Sequence, residues 1–551
     1  MQDEFLELDP VVPEQKKQKK VKADTILQAD LAVVILFLLF FIVFPFFTDA
    51  NSAGFFLPPF LVVLSGFLLY PFALSKPVMI RVMRRVNRDQ TDGLKQMLSK
   101  LSFGCVLSGL FLFVLLLAFA AFFSYMMFGV KSVLTGCVLG ALTFFICSLQ
   151  AVPLGTLAGA GYGNKVIASH VIRSVFSILL AVPLSIYGAG YGVKTDALLH
   201  TQTGVYAYAS LGALGGFFAG AFVSGLYLLI AQLRCLRRLE EKNEDAIRAE
   251  LPDAPSEYLR FPYGISVTTP VFLIFLGMLL FVLLEPLSAG TLYMERLNGI
   301  FGRGIFFQMM IALVLCLFFV RGAYRMSAMI IKNDVASARN LYRHLRFFIQ
   351  FYTLPFAAIS LVLAGTFCRL FDRYPSKETV ISACISSVFV LTLPMIVFGT
   401  LTFLRIRKYI LILFNAAVVP AVYALSFFVL TKGLHLRVYG AVGAGAISFA
   451  VWALLLYLTT AVMLKVRMRF MRDTGKFMIA AVIAGGMTYL MNAILLSVIG
   501  EVLTIILSGV IGFLFYFIVL IILRAISVPD LYHLPFGDRI VPVLRAMHLV
   551  D

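Results

Sequence analysis

Two pairs of basic residues stand inside or at the edge of long apolar runs, where ionisable side chains are costly and therefore indicate a function. His170 and Arg173 are three residues apart, and Arg296 and Arg303 are seven apart. On an α-helix both spacings place the two side chains on one face. Because an arginine is always charged and can bind phosphate oxygens through two parallel hydrogen bonds, the pairs predict binding of a phosphate-bearing anion.

Each pair also has a structural interpretation. Long basic side chains can extend from an apolar layer to its polar surface, and the arginines of the second pair can neutralise Glu285 and Glu295. Arg321 and Arg325 follow in the same apolar run and are expected to fix its orientation rather than to bind a ligand.

The elements that must position these residues are membrane-spanning helices. The chain has 551 residues, of which 61% are hydrophobic and 13% charged, with a mean hydropathy of +0.96. An ordinary soluble domain is about half apolar and a quarter charged. These values exclude a soluble enzyme, a disordered chain and a secreted disulfide scaffold. The apolar runs are continuous rather than alternating, so they predict helices and not a β-barrel.

Charged residues and Gly/Pro positions divide the chain into fourteen predicted spans. The first span follows a lysine-rich segment, and we interpret it as an uncleaved helix. The spans cover residues 31–49, 55–75, 101–128, 132–152, 166–189, 207–233, 263–287, 293–320, 348–371, 380–402, 409–431, 439–464, 477–499 and 501–523.

The distribution of Lys and Arg predicts that both termini lie in the cytoplasm, in a multi-pass protein of the cell membrane. Loops on the N-terminal side of these spans carry 36 of the 46 basic residues, and the opposite loops carry 9. Such an excess marks the cytoplasmic side. The formal net charge of +18 therefore reports topology and attraction to anionic membrane lipids, and it does not indicate nucleic acid.

The predicted organisation is two pseudo-symmetric six-helix halves followed by two further helices. The segments VNRDQTDGLKQMLSKL and IKNDVASARNLYRHLRF share a basic-Asn-acid opening and a Leu spacing, at an offset of 247 residues. Repeats of this kind build many transporters. The predicted parts are a cytoplasmic tail (1–30), the first half (31–233), a linker (234–262), the second half (263–464), the helix pair (465–523) and a C-terminal tail (524–551).

Three stretches resemble the multidrug/oligosaccharidyl-lipid/polysaccharide (MOP) exporter superfamily. They are LRFFIQFYTLPFAAISLVLAG with its CRLF exit, LQAVPLGTLAGAGYGNKVIASHVIRSVFSILLAVPL, and the tail LYHLPFGDRIVPVLRAMHL. Within the superfamily they resemble the stage V sporulation protein B, O-antigen flippase and lipid II flippase branches. The resemblance implies an all-α, MATE-like fold of about 14 transmembrane helices.

The resemblance also implies roles for residues at the start of the eighth span. Lipid II flippases carry an acid-Arg-Leu motif there whose arginine contacts the diphosphate, and Glu295-Arg296-Leu297 corresponds to it, which adds Glu295 to the candidate binding residues. This chain departs from that branch because Asn298 leads straight into Gly299 without the family's short Pro-containing spacer. The departure argues against a lipid II flippase in the strict sense.

The remaining motifs exclude other chemistry. The seven cysteines form no CxxC pair and predict neither a metal site nor disulfides, and no cofactor is expected. The glycines of GTLAGAGYGNK (155–165) are not followed by Lys-Ser/Thr and predict close helix packing rather than a phosphate-binding loop. No Asp or Glu lies in a span interior, and Glu285 and Glu501 come nearest.

A cationic, acid-free interior favours an anionic cargo. The first hypothesis is therefore a monomeric, non-enzymatic flippase for polysaccharide biosynthesis and the cell envelope. It would move a polyprenyl-diphosphate-linked glycan to the outer leaflet by alternating access. The driving force is left open among H⁺ or Na⁺ coupling, the membrane potential and downstream consumption. The alternatives are a cation-coupled multidrug antiporter, which requires a carboxylate in a first-half span, an integral-membrane glycan polymerase or glycosyltransferase, and a non-transporting scaffold.

Overall fold

A computed structural model describes residues 23–68, 75–87, 93–122, 132–200, 203–241, 299–371, 375–406, 408–466 and 474–526. The described residues form helices joined by short turns, with no strand among them. Fourteen α-helices are α1 (Ala23–Val43), α2 (Ala50–Leu68), α3 (Ser75–Asn87), α4 (Leu94–Phe122), α5 (Ser132–Gly159), α6 (Gly163–Leu199), α7 (Gly204–Glu241), α8 (Phe307–Ile331), α9 (Val335–Phe371), α10 (Lys377–Arg405), α11 (Tyr409–Phe428), α12 (Arg437–Met463), α13 (Lys476–Leu495) and α14 (Glu501–Ile522).

The chain is an all-α, multi-pass membrane protein, as its hydropathy predicts. Eleven helices are long and apolar enough to cross a bilayer, and α2 and α11 contain shorter apolar stretches, Asn51–Leu64 and Val418–Thr431. Thirteen of the fourteen predicted spans coincide with these helices. The predicted span at 263–287 lies outside the described residues. Helix α3 is different, because its basic residues and apolar residues segregate to opposite faces.

The predicted span boundaries were wrong by up to thirteen residues, because the helices continue past the bilayer thickness. Helices α6, α7 and α9 contain 37, 38 and 37 residues, which is about 55 Å each against a hydrocarbon layer of about 30 Å. Helix α1 begins at Ala23, eight residues before the predicted span, so it includes Asp30. A charged residue ends a hydropathy run but need not end a helix.

The described residues fall into two compact units. The first comprises α1 to α7 together with Tyr409–Pro420 of α11. Its core is rich in aromatic side chains at α1, α2 and α7, where phenylalanine rings lie 4.9–6.1 Å apart in tilted, stacked and edge-on pairs. The rings belong to Phe37, Phe40, Phe41, Phe56, Phe60 and Phe217.

Glycines set the closest helix contacts in this first unit. On α7, a methyl group added at Gly212 would lie 2.0 Å from the carbonyl oxygen of Leu184, and one at Gly216 would lie 2.3 Å from the nitrogen of Ala181. Leu184 and Ala181 belong to α6, so α6 and α7 touch backbone to backbone. The predicted packing role of the 155–165 glycines is confirmed, because a methyl group at Gly155 would lie 2.5 Å from the carbonyl oxygen of Ser75 on α3.

The second unit comprises Gly299–Lys408 and the chain from Ala421 onwards. It starts with a π-helical segment, Gly299–Phe306, that leads directly into α8. Helices α13 and α14 pack on α9 around Phe351, Phe477 and Tyr516, which are at most 4% exposed. The division into six-helix halves and an added pair stays a prediction, since its boundary residues 242–298 lie outside the described part of the chain.

Candidate functional site

Three ionisable side chains are buried together in the first unit. Asp30 on α1 is 6% exposed, and His170 and Arg173 on α6 are 2% and 1% exposed. The Nε2 atom of His170 lies 2.8 Å from Oδ1 of Asp30. This is an ion-pair contact without the directional geometry of a hydrogen bond, and the buried Nδ1 atom of His170 has no hydrogen-bond partner among the described residues. Burial of charge at this density is costly, so the cluster is a functional candidate.

Arg173 is held by neutral groups. Its Nη2 donates to Oε1 of Gln150 on α5, and its Nε donates to Oγ of Ser224 on α7 over 3.3 Å. The guanidinium carbon lies 4.8 Å from the ring centroid of Phe67 on α2. Gln150 in turn donates to the carbonyl oxygen of Ala221 over 2.6 Å. The arginine therefore contacts side chains of three other helices, and no carboxylate of the described residues accepts a hydrogen bond from it.

The local sequence explains this arrangement. The three-residue spacing of His170 and Arg173 directs both side chains to the side of α6 that is packed in the unit, as predicted. Small residues on α7 let that helix approach, since Ser224 and Gly220 are buried against α6 and α5. Asp30 is close enough to interact electrostatically with Arg173.

The cluster combines a carboxylate, an imidazole and a guanidinium group, and Asp30 and Arg173 contribute one charge of each sign. It therefore offers a cationic group to an anion and an anionic group to a cation. In the described structure all three side chains are enclosed by protein, with 6% or less of their surface exposed.

Of the other predicted site residues, the structure describes Arg303. Arg303 lies in the π-helical segment of the second unit and is half-buried. Arg296 and Glu295 lie outside the described residues. Arg321 and Arg325 are exposed on α8, and their role in fixing its orientation stays a prediction.

Asp30 is the functional candidate that the predicted spans missed. The expectation that no acid lies in a span interior was wrong, because Asp30 is buried seven residues into α1. The spacing of apolar residues along α1 could have indicated that Asp30 is buried. Leu27, Leu31 and Val34 share the buried face of α1 with Asp30, at helical spacing. The same spacing shows that the carboxylate faces protein rather than solvent.

No protein-family model matches this chain, and no curated protein matches it in sequence. Solved structures do match its fold. The lipid II flippase MurJ, in an inward closed conformation, aligns with a TM-score of 0.58 at 15% identity, over 90% of this chain and 97% of its own. An inward-facing multidrug resistance MATE transporter of the MOP superfamily aligns with a TM-score of 0.55 at 14% identity, over 81% and 95%.

A third match is a MOP superfamily transporter from Pyrococcus furiosus, described as having a binding pocket of reversed polarity. It aligns with a TM-score of 0.54 at 16% identity, over 80% of this chain and 94% of its own. At these identities the matches define the fold. The chain has the fold of MOP-superfamily transporters, and the resemblance expected from its sequence is confirmed at that level.

Proposed function

We propose that this protein is a transporter that moves a polyprenyl-diphosphate-linked oligosaccharide from the inner to the outer leaflet. The observation that carries the proposal is Arg173, a fully buried cation whose direct hydrogen-bond acceptors are the neutral side chains of Gln150 and Ser224. A neutral acceptor can be exchanged for a phosphate oxygen with a gain in electrostatic energy, whereas a paired carboxylate would compete with the ligand.

The extent of the fold matches supports a lipid-linked cargo. MurJ aligns over 90% of this chain, and the MATE structures align over 80–81%. The difference is about 50 residues, which is the length of two spans with their turn. Helices α13 and α14 are such a pair, and they expose large apolar side chains such as Ile479, Val482 and Leu503. We propose that this pair contacts the lipid tail.

The test is a flipping assay in proteoliposomes. A labelled polyprenyl-diphosphate oligosaccharide is incorporated, and its accessibility to a membrane-impermeant hydrolase is followed on each leaflet. We expect Arg173→Gln to slow flipping at least tenfold, since a charged hydrogen bond contributes about 1.5–3 kcal/mol and 1.4 kcal/mol is a factor of ten. Arg173→Lys keeps the charge and is expected to lose less.

A matched control is Arg325→Gln, which removes an exposed arginine of α8. It is expected to leave the flipping rate within about twofold, because exposed charges contribute little. Full flipping by Arg173→Gln would remove Arg173 from the proposal, and the absence of any flipping of diphosphate lipids by the unmodified protein would end it. Arg296, Arg303 and Glu295 stay proposed ligands, and the same assay applies to each of them.

A cation-coupled small-molecule antiporter is the second candidate, and Asp30 favours it. This function requires a carboxylate within a span of the first half, and Asp30 lies in the candidate span Thr25–Phe46 of α1. The discriminating measurement is export of a cationic dye from proteoliposomes under an imposed pH gradient. Dye export that Asp30→Asn abolishes, together with no movement of the diphosphate lipid, would establish the antiporter in place of the flippase.

A further inference from the structure

A cavity lies inside the second unit, where α9, α10 and α12 come together. It offers about 20 Å³ to the centre of a water-sized atom, which is room for about one oxygen. Its floor is apolar and includes Phe398 of α10. The polar residues that line it are Tyr342 and Arg346 of α9 and Tyr457 and Thr460 of α12, and none of these described residues is acidic.

Hydrogen-bond donors from two helices meet in this cavity. The Nη1 atom of Arg346 donates to the hydroxyl of Tyr457 over 3.0 Å, which joins α9 to α12. Tyr342 is 3% exposed and interacts electrostatically with both of these residues. A phenol that accepts a hydrogen bond keeps its own O–H to donate, and a guanidinium group carries five N–H donors. The cavity therefore combines one positive charge with two hydroxyl donors, a set that suits an oxygen of an anion.

Arg346 lies where the polar part of α9 ends. Arg339, Arg343 and His344 precede it, and no residue from 347 to 368 is charged. That uncharged stretch is about 33 Å long, which matches the hydrocarbon layer of a bilayer. The Nε atom of Arg339 donates to the carbonyl oxygen of Leu464 at the end of α12 over 2.9 Å, so a second cation is fixed on the same side of the cavity. Arg346 is therefore at the depth of the lipid headgroups, with further positive charge beside it.

An exposed apolar stripe runs beside the cavity on α12. Leu454, Leu458 and Val462 are 54%, 37% and 73% exposed. Because they are four residues apart, they follow one side of the helix. Tyr457 directly precedes Leu458 and is half-buried, so the cavity borders this stripe. The stripe is a surface for an acyl chain whose headgroup reaches Arg346.

We propose that this cavity binds the phosphate group of an anionic membrane lipid, with a phosphate oxygen accepting from Arg346 and Tyr457 and an acyl chain along the stripe of α12. Arginine suits phosphate oxygens, and basic pockets between spanning helices bind the headgroups of anionic lipids. Soluble inorganic phosphate has the same oxygens but would leave the apolar stripe uncovered, which favours the lipid. The predicted topology places the site in the cytoplasmic leaflet, where anionic lipids are found.

The test is binding of phosphatidylglycerol and phosphatidylcholine to the purified full-length protein in neutral detergent, counted by native mass spectrometry. We expect phosphatidylglycerol to bind about tenfold more tightly, because hydrogen bonds to a charged group are the strong ones. Arg346→Gln should remove this preference. Tyr457→Phe keeps the ring in place and should weaken the preference about threefold. The samples contain no polyprenyl lipid and no transport is measured, so the outcome is independent of the flipping assay proposed above.

Arg325→Gln is the matched control, because it removes an exposed arginine near the end of α8 that does not line the cavity. It should keep the lipid preference within about twofold. An equal loss in Arg325→Gln and Arg346→Gln would mean that only net charge is sensed, and this would overturn the site. Equal binding of the two lipids by the unmodified protein, or a preference that Arg346→Gln leaves intact, would also overturn it.

A lipid-free sample with added inorganic phosphate separates the lipid from a soluble anion. Its readout is the thermal midpoint of the unmodified protein and of Arg346→Gln. We expect the two midpoints to be independent of phosphate, since the acyl chain is part of the proposed ligand. A rise with phosphate that Arg346→Gln abolishes would assign the cavity to a soluble anion and refute the lipid.

Discussion

Replacing Gly220 by alanine should separate helices α6 and α7 at the buried arginine. A methyl group at Gly220 would lie 2.1 Å from Oγ of Ser177 and 2.7 Å from the carbonyl oxygen of Arg173. Since ordinary contacts begin near 3.4 Å, the backbone of α6 must move by about 0.7 Å at Arg173. The bond from Arg173 to Ser224 is already 3.3 Å long. A shift of that size along the bond takes it to about 4.0 Å, beyond hydrogen-bond range.

The expected destabilisation follows from these distances. Overpacking of a tight helix contact typically costs about 1–3 kcal/mol, and loss of the bond to Ser224 adds about 1.5–3 kcal/mol. Alanine returns up to about 1 kcal/mol of helix propensity. Gly220→Ala should therefore lower the free energy of unfolding by about 1.5–6 kcal/mol.

Gly215→Ala is the control on the same helix, because its methyl group would lie 3.7 Å from Cδ1 of Leu184, an ordinary contact. It should be neutral or stabilising by up to about 1 kcal/mol. The assay is unfolding in mixed micelles of increasing SDS content, followed by circular dichroism. Equal midpoints for Gly220→Ala and Gly215→Ala would refute the close packing of α6 on α7 and the dependence of the Arg173 site on it.

Three further predictions concern helix ends. The hydroxyl and backbone N–H of Ser337 donate to Asp334 and hold its pKa below the usual range. The carboxylate therefore stabilises the start of α9 above a pH of about 4. This stabilisation is lost as the pH falls through the lowered pKa of Asp334. The measurement is amide hydrogen exchange at Ser337 as a function of pH, with and without Asp334→Ala. Asp196→Ala should destabilise the α6–α7 turn by about 1 kcal/mol, measured by SDS unfolding, because its carboxylate accepts the backbone N–H of Gly204 over 2.8 Å. Lys476→Met should increase exchange at the end of α14, since Nζ donates to two carbonyl oxygens there over 2.9 and 3.2 Å.

The helices and their apolar character could be predicted from the sequence because each apolar run is a local signal. The continuous run of α14, for example, places the span within one residue of the observed helix end. The ends of α9 and α6 could not be placed in this way. Their first or last turns are amphipathic rather than apolar, and hydropathy alone does not distinguish such turns from a loop.

The polar cluster required the tertiary structure. The spacing of His170 and Arg173 predicts a shared face, but their partners lie on α1, α5 and α7, far away in the chain. Nothing local to Gln150 or Ser224 indicates that they bind an arginine.

Asp30 changes the reason for expecting an anionic cargo. The absence of buried acids no longer supports it, because Asp30 is a buried acid close enough to Arg173 to interact with it electrostatically. What still supports it is the identity of the atoms that touch the guanidinium group. Gln150 and Ser224 are neutral acceptors, and Asp30 is in contact with His170 instead. An arginine in this position can exchange its acceptors for phosphate oxygens without breaking an ion pair, whereas Asp30 cannot release His170 without leaving a buried charge. The flippase therefore depends on Arg173 and the antiporter on Asp30, so that Arg173→Gln and Asp30→Asn have separable effects on the two activities.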